Sequence, residues 1–235
     1  MEQHFDLENL RLYAFLEQLS SGDRVPGGGG AVALVGALAA ALGRMSCNLA
    51  IGRPDYAESE ESLTAILVKA GKYMYDLTEL INEDAGALDP LIKAMGMPRN
   101  TDEEKAKRAE VMENALASAS DVPLQIMEKT MRYMRTLPKL EKMVPLESKS
   151  DLAISAKLCR AAIEGASLNV YINTKMMKNR ARAEALNEQA DGLIAEEQQL
   201  LAEITAKIKS QFEKPLTKAQ AIKAVTSPSK KEGAE

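Results

Sequence analysis

The chain has 235 residues, 46% of them hydrophobic and 27% charged, with a formal net charge of −4 and one histidine. That histidine, His4, leaves no basis for a histidine triad, a multi-histidine metal site or imidazole acid–base catalysis, so proton chemistry rests on carboxylates, lysine, tyrosine, cysteine or water. The acidic balance argues against nucleic-acid binding, which needs a basic face to release counterions.

The chain holds 35 alanines, 4% aromatics and no tryptophan. This composition favours helix over sheet, because strands draw on β-branched and aromatic residues. Cys47 and Cys159 fall inside apolar helical patterns and read as buried, reduced thiols. The N-terminal residues show no basic start followed by an apolar run, so a cytoplasmic protein is expected. The uncharged stretch 25–43 contains Pro26 and four consecutive glycines, leaving only 31–42 as a continuous apolar helix. A membrane span needs about 20 residues, so this segment reads as a core helix and no membrane partner is expected.

In chain order, residues 7–20 form an amphipathic helix with Leu7, Leu10, Tyr13, Leu16 and Leu19 on one side. Residues 21–30 read as a loop, since consecutive glycines hold regular structure at an entropic cost. The helix over 31–43 is apolar on every face and is expected to be buried all round. Arg53-Pro54 breaks the pattern, and a long helix follows over 59–95, with weak points at Gly71 or Gly86. Thr101 and Glu104 have the spacing of a capping box and start a helix to about Ala119. Ser120-Asp121-Val122-Pro123 reads as the start of another helix, which ends before Pro138. Residues 139–145 form a connector. Residues 150–212 hold one very long helix or two, with the break near Asn179 to Arg182. Leu186, Leu193 and Leu200 stand at heptad spacing, but Ala190 and Glu197 share the seam and weaken a coiled-coil reading. Residues 214–235 read as a mobile tail. The expected fold is an all-α bundle of five to seven helices: a helical domain over 1–182, an extended helix over 183–213 and the tail.

Three places are candidates for chemistry. Pro26-Gly27-Gly28-Gly29 precedes an apolar helix, where backbone N–H groups at the positive end of the dipole suit an anion or a carbonyl oxygen. It is equally a tight turn into a close-packed helix. Asp84 lies four residues after Leu80 and four before Leu88, on an apolar stripe, where partial desolvation raises a carboxyl pKa toward the range useful for proton transfer. Glu83 and Asp89 read as solvated charges. Asn169 and Asn173, four apart, share a helix face with Gly165 and Ala162 that fits a flat hydrogen-bonding ligand or a close helix contact. Ser150 and Asp151 read first as helix caps, and Arg53 either binds an anion or caps a helix C-terminus.

These stretches, taken in order, resemble the cyclodeaminase domain of formiminotransferase-cyclodeaminase and the stand-alone methenyltetrahydrofolate cyclohydrolases similar to it. The resemblance rests on Phe15-Leu16, Val25-Pro26-Gly27-Gly28-Gly29, the 80–85 run ending Asn82-Glu83-Asp84-Ala85, Val122-Pro123-Leu124, Ser150-Asp151 and the 165–173 run, across about 7–180. Gly30 departs from the family pattern, which often has serine or another small residue there, and the segment beyond Arg182 runs past the match.

The resemblance implies an all-helical dimer acting on tetrahydrofolate, with no metal and no cofactor beyond that folate substrate. It places the catalytic aspartate on Asp84 and the folate-contacting loop on Pro26, Gly27, Gly28 and Gly29, with Arg53, Asp151, Asn169 and Asn173 in the pocket. A formiminotransferase domain is not expected. Two reactions fit: cyclisation of 5-formiminotetrahydrofolate with loss of ammonia, and hydrolysis of 5,10-methenyltetrahydrofolate to the 10-formyl form. The alternative is a non-catalytic dimerising scaffold that uses 183–212 as a partner-binding arm.

Overall fold

The computed structural model describes residues 11–213 and Pro215. Within them the chain forms α1 (Arg11–Leu19), α2 (Gly28–Ala50), α3 (Glu60–Met95), α4 (Asp102–Met134), α5 (Leu137–Leu140), α6 (Lys149–Met176) and α7 (Arg180–Phe212), joined by short 3₁₀ turns and containing no strand. The all-α expectation holds for these residues. His4, Leu7, Leu10 and the tail other than Pro215 lie outside them.

α2 is the central helix, packed lengthwise against α3 and α6, with α4 closing a third side. It runs antiparallel to both neighbours, since its start lies beside Asp84 of α3 and Asn169 of α6, while Arg44 near its end lies beside Gly71. Its buried face is made of Ala33, Gly36, Ala37, Ala40, Gly43 and similarly small residues, which let the flanking backbones approach. Gly43 shows why: a methyl group there would stand 2.1 Å from Tyr133 Oη. That fully buried hydroxyl lies 2.7 Å from Ser155 Oγ, and both reach the Ala39 carbonyl, at 2.9 and 2.8 Å. Tyr133 and Ser155 thus find partners inside the core, as burial demands. A second, smaller core of Leu91, Ala94, Leu116, Met177 and Ala183 lies at the end where α3 turns into α4.

Several expectations are corrected. The loop ends at Gly27, not Gly30. Gly27 is extended, its carbonyl accepts the Ala31 N–H at 3.1 Å, and Gly28, Gly29 and Gly30 form the first turn of α2. The entropy cost of helical glycines is offset by the close packing they allow and by a cap on Gly30 described below. α2 is also not buried all round, because Leu38, Met45 and Leu49 form an exposed apolar stripe. By length and apolarity α2 would pass for a membrane span, yet half of its most apolar window is buried in the bundle.

The expected break before Pro123 is absent, and α4 runs unbroken for 33 residues. Proline removes the N–H that would bond the carbonyl four residues earlier, that of Ala119. Asn173 of α6 supplies the missing donor, with its Nδ2 3.0 Å from that oxygen. The capping box forms as expected, Thr101 Oγ1 accepting from the Glu104 N–H at 3.1 Å and Glu104 Oε2 accepting from the Thr101 N–H at 3.2 Å. α6 begins at Lys149, with Ser148 rather than Ser150 as its cap residue, so Ser150 and Asp151 fall within the first turn.

The 150–212 stretch divides into two helices, α6 ending at Met176 and α7 starting after Asn179, whose Oδ1 accepts the Arg182 N–H at 3.1 Å. α7 packs along α6 and touches α4, burying Ala183, Ala190, Glu197, Leu201, Ile204 and Ile208. At its far end Glu141, almost wholly buried, accepts from Lys149 Nζ at 2.9 Å and Gln211 Nε2 at 2.7 Å. Burial acts to raise the Glu141 carboxyl, but these two partners outweigh it and hold its pKa below the usual value.

Glu197, which shares the α7 seam, is inaccessible to solvent, and among the described residues neither of its carboxylate oxygens has a hydrogen-bond partner. Burial, reinforced by the nearby Glu164 charge and opposed by Arg160, raises its pKa. Cys47 and Cys159 are buried free thiols, and burial pushes Cys47 up to about 11.

Candidate functional site

The first N–H groups of a helix have no partner within it. In α2 these belong to Gly28, Gly29 and Gly30. The Gly30 N–H donates to Asp84 Oδ2 at 3.0 Å, so a carboxylate from α3 caps the helix start across 54 residues of sequence. The Asp84 side chain lies directly over Gly29, where a methyl group would stand 2.0 Å from Oδ1. Only a residue without a side chain leaves room for it. On the other side, Asn169 Oδ1 comes within 4.0 Å of a methyl built on Gly28. Pro26 packs beside Gly30, and the Val25–Pro26 peptide is cis.

Asp84 is half-buried, between Leu80, which is in the core, and Leu88. Burial raises its pKa above 3.8, and the Gly30 N–H works in the opposite direction. The result is a carboxyl more easily protonated than one in water. It faces the backbone N–H groups of Gly28 and Gly29, which have no partner among the described residues, at the positive end of a 23-residue helix. Such an arrangement can hold a polar, electron-rich group of a ligand while one carboxyl exchanges a proton with it.

The fold brings together Pro26, Gly27, Gly28, Gly29, Asp84 and Asn169. Asn173 lies one turn beyond Asn169, and its amide is taken by the Ala119 carbonyl. Arg53 and Asp151 stand elsewhere in this chain. Arg53 follows the far end of α2, about 33 Å along the helix from Gly28, and its Nη1 pairs with Glu147 Oε1 at 2.9 Å. Asp151 is in the first turn of α6, about 27 Å along that helix from Asn169. Glu83 and Asp89 are exposed, as expected of solvated charges. Sequence reasoning left out Gly30, whose N–H holds the carboxyl. Placing the helix start at Gly28 makes Gly30 its third residue, the position whose N–H a cap most often takes.

Residues 11–192 match the formiminotransferase-cyclodeaminase family. The chain belongs to that family. Among relatives of this formiminotransferase-cyclodeaminase member, the methenyltetrahydrofolate cyclohydrolase of Methylorubrum extorquens is 39% identical over 206 residues, covering 86% of this chain and 97% of the relative. The formimidoyltransferase-cyclodeaminase of Mus musculus is 30% identical over 185 residues, which are 79% of this chain and 34% of that longer protein. The crystal structure of formiminotetrahydrofolate cyclodeaminase from Thermotoga maritima superposes with a TM-score of 0.77 at 23% identity, covering 88% of this chain and all of that one, a likeness of fold.

Proposed function

We propose that this protein is a cytoplasmic folate-dependent one-carbon enzyme acting at the carbon between N5 and N10 of tetrahydrofolate, and that its reaction is hydrolysis of 5,10-methenyltetrahydrofolate to 10-formyltetrahydrofolate. The observation that carries the reading is the Asp84 carboxyl, half-buried and held by the Gly30 N–H at the start of α2, beside Asn169. The family membership supports the folate substrate. The 39% identity across nearly the whole of a stand-alone cyclohydrolase favours hydrolysis over deamination.

The chemistry is redox-neutral, and the methenyl carbon is already electrophilic as part of an amidinium cation. Asp84, ionised, accepts a proton from water as the water oxygen bonds to that carbon, giving a tetrahedral carbon between two neutral nitrogens. The C–N5 bond then breaks as the carbinol O–H becomes the formyl carbonyl. Asp84 returns a proton to N5, and the carbinol proton leaves to solvent. A positioned acid–base group contributes about 10²–10⁴-fold to such a step. The reaction needs no bound metal or redox group in this scheme, and the Gly28 and Gly29 N–H groups, with Asn169, orient the polar edge of the substrate.

Cyclisation of 5-formiminotetrahydrofolate uses the same carbon and the same proton exchange, with ammonia leaving, and the bifunctional relatives keep it as the second reading. An ultraviolet assay offered each substrate separately decides. Loss of methenyltetrahydrofolate absorbance faster than the buffer rate supports hydrolysis. Its formation from the formimino substrate alone supports cyclisation, and inertness toward both overturns the folate reading.

The protein acts in this reading as a homodimer. Leu38, Met45 and Leu49, seven and four residues apart on α2, form an apolar stripe on the one helix otherwise packed by α3, α4 and α6. Sedimentation of the protein as a monomer at micromolar concentration would contradict this.

A further inference from the structure

Among the described residues the Gly30 N–H is the donor that holds the Asp84 carboxyl, so whatever fixes Gly30 also fixes that carboxyl. Gly30 has no side chain with which to hold its own place. It stands in the first turn of α2 with Gly28 and Gly29, and glycine loses more conformational freedom on folding than any other residue. A turn of that composition keeps one geometry only when something outside it imposes one. Two side chains are placed to do so. A methyl group built on Gly30 would stand 3.4 Å from Ile81 Cγ2 and 3.6 Å from Pro26 Cβ, so both close on the Gly30 backbone. Pro26 comes from the segment before the helix, and its ring fixes its own φ. Ile81 comes from α3, three residues before Asp84, partly buried and packed against the main core.

Ile81 and Asp84 thus meet one residue from one helix. The carboxyl takes the Gly30 N–H, and the Cγ2 methyl faces the place of its missing side chain. A β-branched side chain on a helix is stiff at χ1, so that methyl is a rigid stop rather than a loose filler. We propose that Ile81 is a positioning residue for the reaction: its Cγ2 methyl, opposed by Pro26, holds the Gly30 N–H in line with the Asp84 carboxyl. It acts through Gly30 and Asp84, not on the substrate, and this rests on the reading of Asp84 above. Burial and the Gly30 N–H act on the carboxyl in opposite directions. Glu83, beside it on α3, is exposed, and on the α6 side stands the neutral amide of Asn169. Displacing Gly30 while burial is kept removes the influence that favours the ionised form, so the titration moves to higher pH.

The test compares Ile81→Val with Ile81→Leu. Valine keeps both γ carbons and loses only Cδ1. Leucine keeps the volume but has a single γ carbon. Turned toward Gly30, it drives its δ methyls into that backbone; turned away, it leaves the place of Cγ2 empty. Both are conservative apolar exchanges and are expected to fold with small, similar losses of melting temperature. The Asp84 carboxyl is followed by NMR titration of protein carrying ¹³C at the aspartate carboxyls, its signal assigned by absence from D84N. In I81V it is expected to titrate as in the wild type, with kcat within twofold. In I81L the titration and the acid limb of the pH–rate profile move up together by about one pH unit, the worth of one hydrogen bond to a charged group. In the same variant kcat falls about tenfold, because proton transfer depends on placement, and KM changes less than twofold. I81M carries the same expectation should I81L fail to fold. An I81L that titrates and turns over like I81V overturns the proposal, since the side chain then only fills space. A rise in KM in both variants with the titration unchanged also overturns it, since Ile81 then touches the ligand. A wild type inert toward both folate substrates overturns the folate reading, and the carboxyl titration still decides for or against Ile81.

Discussion

Asp84 and Glu197 are both carboxyls raised by burial, and they differ in whether anything holds them. Asp84 has the Gly30 N–H, while Glu197 has no hydrogen-bond partner among the described residues. A carboxyl whose folded pKa lies above its unfolded value stabilises the fold below the unfolded pKa, and that contribution is lost as pH rises through the folded pKa. Ionised Asp84 therefore weakens the fold at neutral pH. Asp84→Asn, which can still accept from Gly30, is expected to keep or raise the melting temperature while lowering kcat about 10²–10⁴-fold. It should also abolish the acid limb of the pH–rate profile, which in the wild type lies above the usual aspartate value. A folded D84N with wild-type turnover would remove Asp84 from the reaction. For Glu197 the facing charges are Glu164 and Arg160 on α6, with Cys159 buried alongside. Glu197→Leu is expected to stabilise the protein by about 1–3 kcal/mol at pH 7.5. The gain should shrink toward pH 4.5, and thermal melts across that range would show it. A gain independent of pH would mean that packing, not charge, is responsible.

At the scale of elements, what could be read from the sequence was whatever is encoded locally. The start of α4 is marked by Thr101 and Glu104 within one turn, and it forms as expected. Asp84 was legible because its stripe, Leu80 to Leu88, lies within a single helix. The unbroken course of α4 was not, because the amide that replaces the proline's missing donor belongs to Asn173, 54 residues from the carbonyl it serves. The start of α2 was misplaced for the same reason: its cap comes from another helix. Within this chain Arg53 and Asp151 stand at the ends of α2 and α6 away from the glycines, a placement that depends on the antiparallel packing of those helices and is not encoded in any one segment. Asn173→Ala leaves the Ala119 carbonyl without its donor. A loss of about 1–2 kcal/mol, or about 2–8 °C in melting temperature, is expected. An unchanged melting temperature would mean that water replaces the amide.

For the whole molecule, α7 determines whether the bundle can close. The family match ends at residue 192, yet the helix runs on to Phe212, and Leu201, Ile204 and Ile208 beyond the match belong to the main core. Burying three such side chains contributes about 5–9 kcal/mol, comparable with the total stability of an ordinary domain. A chain ending at residue 182 is therefore expected to lose its cooperative thermal transition and to bind hydrophobic dyes. If it instead melts sharply and retains turnover, α7 is dispensable to the fold.

The partner that holds the Asp84 carboxyl is a main-chain amide, and this changes what mutation can do to the site. Any residue other than proline at position 30 still carries that N–H, so the donor cannot be deleted as a side-chain donor can. The vulnerability moves one position back, to Gly29, where even alanine would collide with the carboxyl. The site is written in the genetic message largely as an empty space, and its most damaging replacements there are expected to be additions of atoms rather than losses.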